Sequence, residues 1–223
     1  MFTTNEVSMI LDMLRQNYMN TTTALDYSNS FQLLISTMLA AQSTDIQVNK
    51  VTKSLFKEFP NAHTFLNLTI NQLEDKIKTV GLFKSKAKNI LATCKILVEK
   101  YAGKIPDTRE ELMGLPGVGR KTANVVLSIT TDFDAIAVDT HVFRVSNRIG
   151  LAEAKNVLQT EKQLMQKIPQ KDWSAAHHWL IWHGRKICKA HRPLCQICFL
   201  INMCRYYKQE ISISISDQKP LKS

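Results

Sequence analysis

A glycine hairpin, Leu115-Pro116-Gly117-Val118-Gly119, separates two helical patterns and constrains the fold of this chain more than any other feature. Before the hairpin, the capping-box spacing of Asp107 and Glu110 predicts a short helix that ends at Gly114. After the hairpin, a second helix is predicted to begin near Arg120. The segment therefore predicts a helix-hairpin-helix.

The two glycines of the hairpin, Gly117 and Gly119, allow positive φ angles and carry no Cβ atom that would keep a ligand away from the backbone. The N–H groups of the hairpin and of the following helix N-terminus then suit a phosphate oxygen. A helix-hairpin-helix of this kind typically binds one DNA strand through its backbone. An ordinary tight turn between two helices is the alternative explanation.

Lys121 lies in the first turn of the second predicted helix, where the positive end of the helix dipole disfavours a cation. The dipole contributes only about 0.3–1 kcal/mol. We therefore expect partial burial and the neighbouring Arg120 to do more to keep this amine neutral and nucleophilic. A solvated lysine after a turn is the alternative.

Asp139 ends an apolar run and precedes an amphipathic pattern that extends to Ile149. This position predicts that Asp139 caps the N-terminus of a helix. A carboxylate fixed at a helix start is also able to face a nearby amine, so the capping role is compatible with catalysis.

Four of the five cysteines fall within seventeen residues, at Cys188, Cys195, Cys198 and Cys204, and predict a metal centre. Cys94 lies on an apolar helical stripe and is expected in the core. The odd number of cysteines and the lack of a secretory signal argue against disulfides. A zinc ribbon favours two C-x2-C pairs and only one is present, whereas four cysteines suit a [4Fe–4S] cluster. The spacing alone leaves both metals open.

The formal net charge of +10 and the isoelectric point near 9.4 indicate a polyanionic partner. The basic residues concentrate in two regions. Residues 76–104 hold eight lysines against one glutamate, and residues 184–223 hold eight lysines or arginines against two acidic residues. This asymmetry predicts a DNA-binding face. Two ordinary solvated surfaces are the alternative.

Apolar periodicity predicts helices through most of the remaining chain. One predicted helix begins at a capping box formed by Thr3 and Glu6. The others cover residues 31–41, 45–59, 70–80, 84–101 and 174–187. Residues 211–216 alternate like a strand but are expected to form a loose tail. Packing or hydrogen-bonding roles are expected for His177, His178 and His183, and core positions for Trp173, Trp179 and Trp182.

Taken together, the hairpin with Lys121, the segment with Asp139 and the cysteine spacing resemble the endonuclease III family. Its members are bifunctional DNA glycosylase/abasic-site lyases of the helix-hairpin-helix superfamily. Residues 41–45 and 81–87 match further family segments, and the resemblance extends from about residue 7 to residue 207.

The resemblance implies an all-α fold of two helical domains with a DNA cleft between them. The implied domains are a helical barrel over 22–132 with the helix-hairpin-helix at 107–130, and an iron–sulfur cluster domain from 1–21 and 133–207 with its cluster loop at 188–204. Residues 208–223 are expected to be a disordered tail.

The resemblance also implies roles for individual residues. Lys121 matches the family nucleophile, Asp139 matches the catalytic aspartate, and the four clustered cysteines match the ligands of a [4Fe–4S] cluster. Gln42 and Leu82 match residues that fill the gap left by a flipped-out nucleotide. The expected DNA-contacting residues are Gln42, Leu82, Gly117, Gly119, Arg120, His141, Lys189 and Arg192.

The implied activity is removal of oxidised pyrimidines in base excision repair, followed by β-elimination at the abasic site through a lysine imine. We expect a monomer on damaged double-stranded DNA, in the cytoplasm of a bacterium-like cell at the nucleoid, without membrane association. Two alternatives are a monofunctional mismatch adenine glycosylase and a non-enzymatic iron–sulfur DNA-binding or redox-sensing protein. Lys121 and the chain end at Ser223 argue against the first, and the presence of both Lys121 and Asp139 argues against the second.

Overall fold

The computed structural model describes residues 2–19, 21, 23–131 and 136–209, and every regular element in these ranges is helical. The chain divides into two compact units, which we call the hairpin unit (Thr23–Ala135) and the cysteine unit (Met1–Thr22 with Ile136–Ser223). The prediction of an all-α fold is confirmed for the described residues. None of their helices is both long and apolar enough to cross a membrane.

The hairpin unit is built around one apolar helix. Its helices are α2 (Ser30–Ala40), α3 (Asp45–Glu58), α4 (Ala62–Phe65), α5 (Ile70–Ile77), α6 (Phe83–Tyr101), α7 (Arg109–Met113) and α8 (Arg120–Thr130). The helix α2 packs against α3, α6 and α8, and this explains why its sequence is apolar on nearly every face. Cys94 is fully buried in this core, as the apolar stripe of α6 predicts.

The cysteine unit combines the N-terminal helix with the C-terminal part of the chain. Its helices are α1 (Thr4–Tyr18), α9 (Thr140–Ile149), α10 (Val157–Lys167) and α11 (Trp173–Lys186). The helix α11 contacts both α1 and α9, so residues far apart in the sequence share one core. The predicted capping box of Thr3 and Glu6 forms at the start of α1. Trp179 is buried, while Trp173 and Trp182 pack at the edge of the core.

The predicted N-cap of the helix before the hairpin is wrong by one residue. The N-cap of α7 is Thr108 rather than Asp107, because the Thr108 hydroxyl accepts from the backbone N–H of Glu111 and donates to its carboxylate at 2.8 Å. The sequence contains two overlapping capping-box spacings, Asp107 with Glu110 and Thr108 with Glu111, and the helix uses the second. The helices α4 and α10 were not predicted.

The expectation of a tail from residue 208 is wrong for residues 208 and 209. Residues 205–209 form a helical turn, in which the N–H of Lys208 donates to the carbonyl of Cys204 at 3.1 Å. The strand-like alternation over 211–216 lies outside the described residues.

Candidate active site and metal centre

The hairpin between α7 and α8 needs glycine at position 117. Gly117 has a φ of +77°, and a Cβ atom there would lie 2.8 Å from the Nδ2 atom of Asn89 on α6. The hydroxyl of Thr93, also on α6, donates to the carbonyl of Pro116 at 3.0 Å. The long helix α6 therefore holds the hairpin in place.

Gly119 differs from Gly117, and the expectation of a positive φ at this residue is wrong. It is the N-cap of α8 with a φ of −90°, an extended conformation that any residue adopts. A Cβ atom at Gly119 would meet nothing within 4 Å. The fold itself does not require glycine here.

Lys121 lies in the first turn of α8 and is exposed, whereas Arg120 is half-buried. The expected partial burial of Lys121 is therefore wrong. The buried side of α8 begins instead at Ala123 and Asn124, because these residues face the core of the hairpin unit.

Asp139 is the N-cap of α9, as its position after an apolar run predicts. One carboxylate oxygen, Oδ1, accepts hydrogen bonds from the N–H groups of His141 and Val142, each at 2.8 Å. The preceding residues 136–138 are buried. This half-buried carboxylate is consequently fixed in orientation at the start of a helix.

His141 is half-buried beside Asp139. Burial lowers the pKa of His141, while the charge of Asp139 opposes that shift. Its Nδ1 atom lies 3.2 Å from the Nη2 atom of Arg144. Because a guanidinium only donates, Nδ1 accepts and the proton of the neutral ring sits on Nε2. Sequence reasoning missed this pairing.

The four clustered cysteines surround one cavity in the cysteine unit. The lining of this cavity includes Cys188, Cys195, Cys198 and Cys204 together with Ile149, Ile187 and Leu200. Each of the four thiols is half-buried and none forms a disulfide. Among the described residues, no three His, Cys, Asp or Glu side chains converge as a single metal ion requires.

Two arginines on α9 hold the loop that carries these cysteines. The Nε atom of Arg144 donates to the carbonyl of Cys188 at 3.1 Å. The guanidinium of Arg148 donates to the carbonyls of Lys189 and Ala190 at 2.7 and 3.0 Å. Lys189 and Arg192 are exposed, as expected for residues that reach a phosphate. Sequence reasoning missed both arginines, because they lie about forty residues before the loop.

His183 lies against the cysteine cavity, a position that the sequence did not indicate. Its Nε2 atom is 3.7 Å from the Sγ atom of Cys198, and its Nδ1 atom is 3.2 Å from the hydroxyl of Tyr18. Burial lowers the pKa of His183 to about 4, so the ring is neutral near pH 7. The expected hydrogen-bonding role of this histidine is confirmed.

Gln42 and Leu82 are exposed side chains on neighbouring loops of the hairpin unit. Both have left-handed backbones, with φ angles of +55° and +58°. The loops are joined by a hydrogen bond of 3.1 Å from the N–H of Gly81 to the hydroxyl of Ser43. Leu82 is 59% exposed.

The basic run over residues 76–104 is not a single solvated face. Lys86 is only 7% exposed, and Lys76 pairs with Glu58 at 2.8 Å. The expectation that this run faces DNA is wrong for Lys86, because the periodicity of α6 turns its side chain toward the core.

Comparison with known proteins identifies the family. Residues 35–170 match the family described as "HhH-GPD superfamily base excision DNA repair protein". The endonuclease III of Rickettsia felis is 49% identical over 205 residues, which cover 92% of this chain and 96% of that protein. This chain belongs to the endonuclease III family. The endonuclease III of Escherichia coli K12 is 46% identical over 204 residues, covering 92% and 96% of the two chains.

A solved structure extends the match to three dimensions. A trapped endonuclease III–DNA covalent intermediate, in an estranged-adenine complex, has a TM-score of 0.90 at 44% identity. The match covers 95% of this chain and all of that one. The fold described above is therefore that of the endonuclease III family.

Proposed function

We propose that this chain is a base-excision-repair DNA glycosylase that removes oxidised pyrimidines from double-stranded DNA and cleaves the resulting abasic site. The observation that carries the proposal is the exposed primary amine of Lys121, in the first turn of the helix that follows the hairpin. Membership of the endonuclease III family supports it.

The chemistry requires the damaged nucleotide to leave the base stack, since its sugar is otherwise inaccessible. The amine of Lys121 attacks C1′, the N–C1′ bond forms, and the glycosidic electron pair leaves with the base. The sugar ring then opens to an imine. Loss of a C2′ proton breaks the C3′–O bond and cuts the strand. An amine nucleophile thus divides one difficult displacement into easier steps.

Asp139 is proposed as the catalytic carboxylate. It accepts the proton released by the attacking amine and stabilises the positive charge that develops on the sugar. Its two hydrogen bonds from backbone N–H groups keep it oriented.

The proposed DNA contacts are of three kinds: an open backbone, charged side chains and uncharged side chains. Gly119 leaves its backbone open to a phosphate, beside the N-terminus of α8. Lys189 and Arg192 supply charge from the loop that the α9 arginines hold. Gln42 and Leu82 carry no charge, and we propose that they fill the space that the flipped nucleotide leaves.

The cysteine cavity fits a [4Fe–4S] cluster. Its donors are four soft sulfur ligands around a space walled by Ile149, Ile187 and Leu200, which is the ligand set that such clusters use. A structural zinc ion needs four ligands that converge on one point. When bound, the cluster cross-links residues 188–204 and supplies folding energy there.

Borohydride trapping on abasic DNA tests the function. The wild-type protein should form a covalent adduct, and Lys121→Gln should bind the same DNA without forming one, because only a primary amine makes the imine. Lys171→Gln, at an exposed lysine of the cysteine unit, is the control that keeps the adduct. DNA binding without any wild-type adduct would contradict the abasic-site lyase activity.

A further inference from the structure

A buried amine lies beneath the two loops that carry Gln42 and Leu82. Among the described lysines only Lys86 is buried, at 7% exposure. Burial lowers its pKa, because a cation loses hydration there. An apolar side chain of similar length would fill the same space without that cost. The position of this amine therefore requires an explanation beyond packing.

The amine of Lys86 joins the end of a helix to a loop. Its Nζ atom donates to the carbonyl of Leu39 at 2.8 Å and to the hydroxyl of Ser43 at 3.1 Å. Leu39 lies in the last turn of α2, where carbonyls lack helical partners and the dipole favours a cation. Lys86 thus stabilises the C-terminus of α2 and the loop that follows it.

The hydroxyl of Ser43 extends this link to the second loop. It also accepts from the N–H of Gly81 at 3.1 Å. A Cβ atom at Gly81 would lie 2.9 Å from the carbonyl oxygen of Gln42, so the two backbones touch. A further hydrogen bond of 2.6 Å joins the side chains of Gln47 and Thr79.

Gln42 and Leu82 stand directly beside this junction. Gln42 precedes Ser43, Leu82 follows Gly81, and both have the left-handed backbone that non-glycine residues adopt when their surroundings hold it. These left-handed backbones hold both exposed side chains outward from the junction between the two loops.

We propose that Lys86 is a positioning residue. Its buried ammonium ties the loop of Gln42 to the turn of Leu82, so that both side chains enter the DNA as a fixed pair. This inference rests on the function proposed for Gln42 and Leu82. It gives Lys86 a part in nucleotide flipping without contact with DNA.

The test compares paired and unpaired lesions. Lys86→Met keeps an unbranched side chain that reaches the position of Cε and removes the amine with its donors. Its cleavage of an abasic site in duplex DNA should fall about tenfold, as the loss of a charged hydrogen bond allows. Its cleavage of the same site in single-stranded DNA should not change. A 2-aminopurine base opposite the lesion should show reduced fluorescence enhancement on binding.

Two further variants distinguish a loss of positioning from a general folding defect. Ser43→Ala removes the shared acceptor and should show the same selective loss, with little added effect in the double variant. Lys167→Met is the matched control, since Lys167 also donates to a backbone carbonyl, that of Leu151 at 2.8 Å, but in the cysteine unit. It should leave the ratio of duplex to single-strand cleavage unchanged.

Other outcomes would overturn the inference. An equal loss on both substrates in Lys86→Met and Ser43→Ala would make Lys86 an ordinary structural residue. A flatter salt dependence of binding would make it a phosphate contact. Gln42→Ala and Leu82→Ala separate the two proposals. If they lose duplex activity while Lys86→Met keeps it, only the Lys86 inference fails; if they keep it, the role of the loops fails and the inference with it.

Discussion

The imidazole of His177 donates a hydrogen bond from Nδ1 to the carbonyl of Ala137, two residues before Asp139. A carbonyl oxygen only accepts, so the proton sits on Nδ1. His177 lies on α11, is 3% exposed, and packs edge-on against His178. A helix near the C-terminus therefore fixes the backbone that leads to the cap of α9.

His177→Phe should lower the rate of base removal by about tenfold or more, because the buried carbonyl of Ala137 loses its donor and Asp139 loses support. His177→Asn places an amide near the position of Nδ1 and should restore most of the activity. Single-turnover kinetics on duplex DNA with an oxidised pyrimidine measures both. Equal losses in the two variants would show that the hydrogen bond is not what matters.

The two hairpin glycines should respond differently to alanine. Gly117→Ala forces a side chain into a positive φ and against Asn89, and should lower the free energy of unfolding by about 1–3 kcal/mol. Gly119→Ala fits the fold and should leave stability unchanged. It should weaken DNA binding about tenfold, since the added methyl group separates the backbone from a phosphate.

Thermal unfolding and DNA titration distinguish these effects. Normal DNA affinity in Gly119→Ala would show that no ligand approaches this backbone.

If the four clustered cysteines hold a [4Fe–4S] cluster, protein purified without oxygen should contain about four iron atoms per chain. Cys198→Ser should lose iron and leave residues 188–204 poorly folded. Cys94→Ala is the matched control, because Cys94 is fully buried in the other unit and burial raises its pKa to about 12. It should retain its iron. Stoichiometric zinc without visible absorbance would contradict the cluster.

His178 should make the protein sensitive to acid. Burial lowers its pKa from 6.5 to about 4, so the unfolded chain binds the proton more readily than the folded chain. The stabilisation by neutral His178 is therefore present above pH 6.5 and lost as the pH falls toward 4. The slope reaches up to about 1.4 kcal/mol per pH unit.

His178→Phe should flatten this slope without abolishing it, since the pKa of His183 is also lowered to about 4. Urea unfolding over this pH range measures the slope. His63→Phe, at an exposed histidine, is the control and should leave it unchanged. An unaltered slope in His178→Phe would refute the assignment.

Lys189 and Arg192 should act on binding rather than on chemistry. Replacing either by alanine should weaken binding to damaged and undamaged duplexes alike and reduce the salt slope by up to about one unit. The trapped adduct should still form at saturating protein. Lys162→Ala, at an exposed lysine on α10, should keep the wild-type slope. An effect confined to damaged DNA would point to lesion recognition instead.

The sequence alone determined the features that depend on near neighbours in the chain. The stripe of α6, the cap at Asp139 and the hairpin before α8 all follow from residues within one or two helical turns. The cysteine spacing predicted that four residues share one site, and these four cysteines line one cavity. The roles of Lys121, Asp139 and the DNA-contacting residues stay predictions, because they depend on a ligand.

Tertiary structure decided whatever depends on residues far apart in the sequence. The sequence pattern did not distinguish Lys86 from the surface lysines around it. The packing of α6 against the end of α2 shows that its amine is buried beside Ser43. The support of Ala137 by His177 spans forty residues. The close approach of Gly117 to Asn89 also arises from long-range packing, which a local sequence pattern does not reveal.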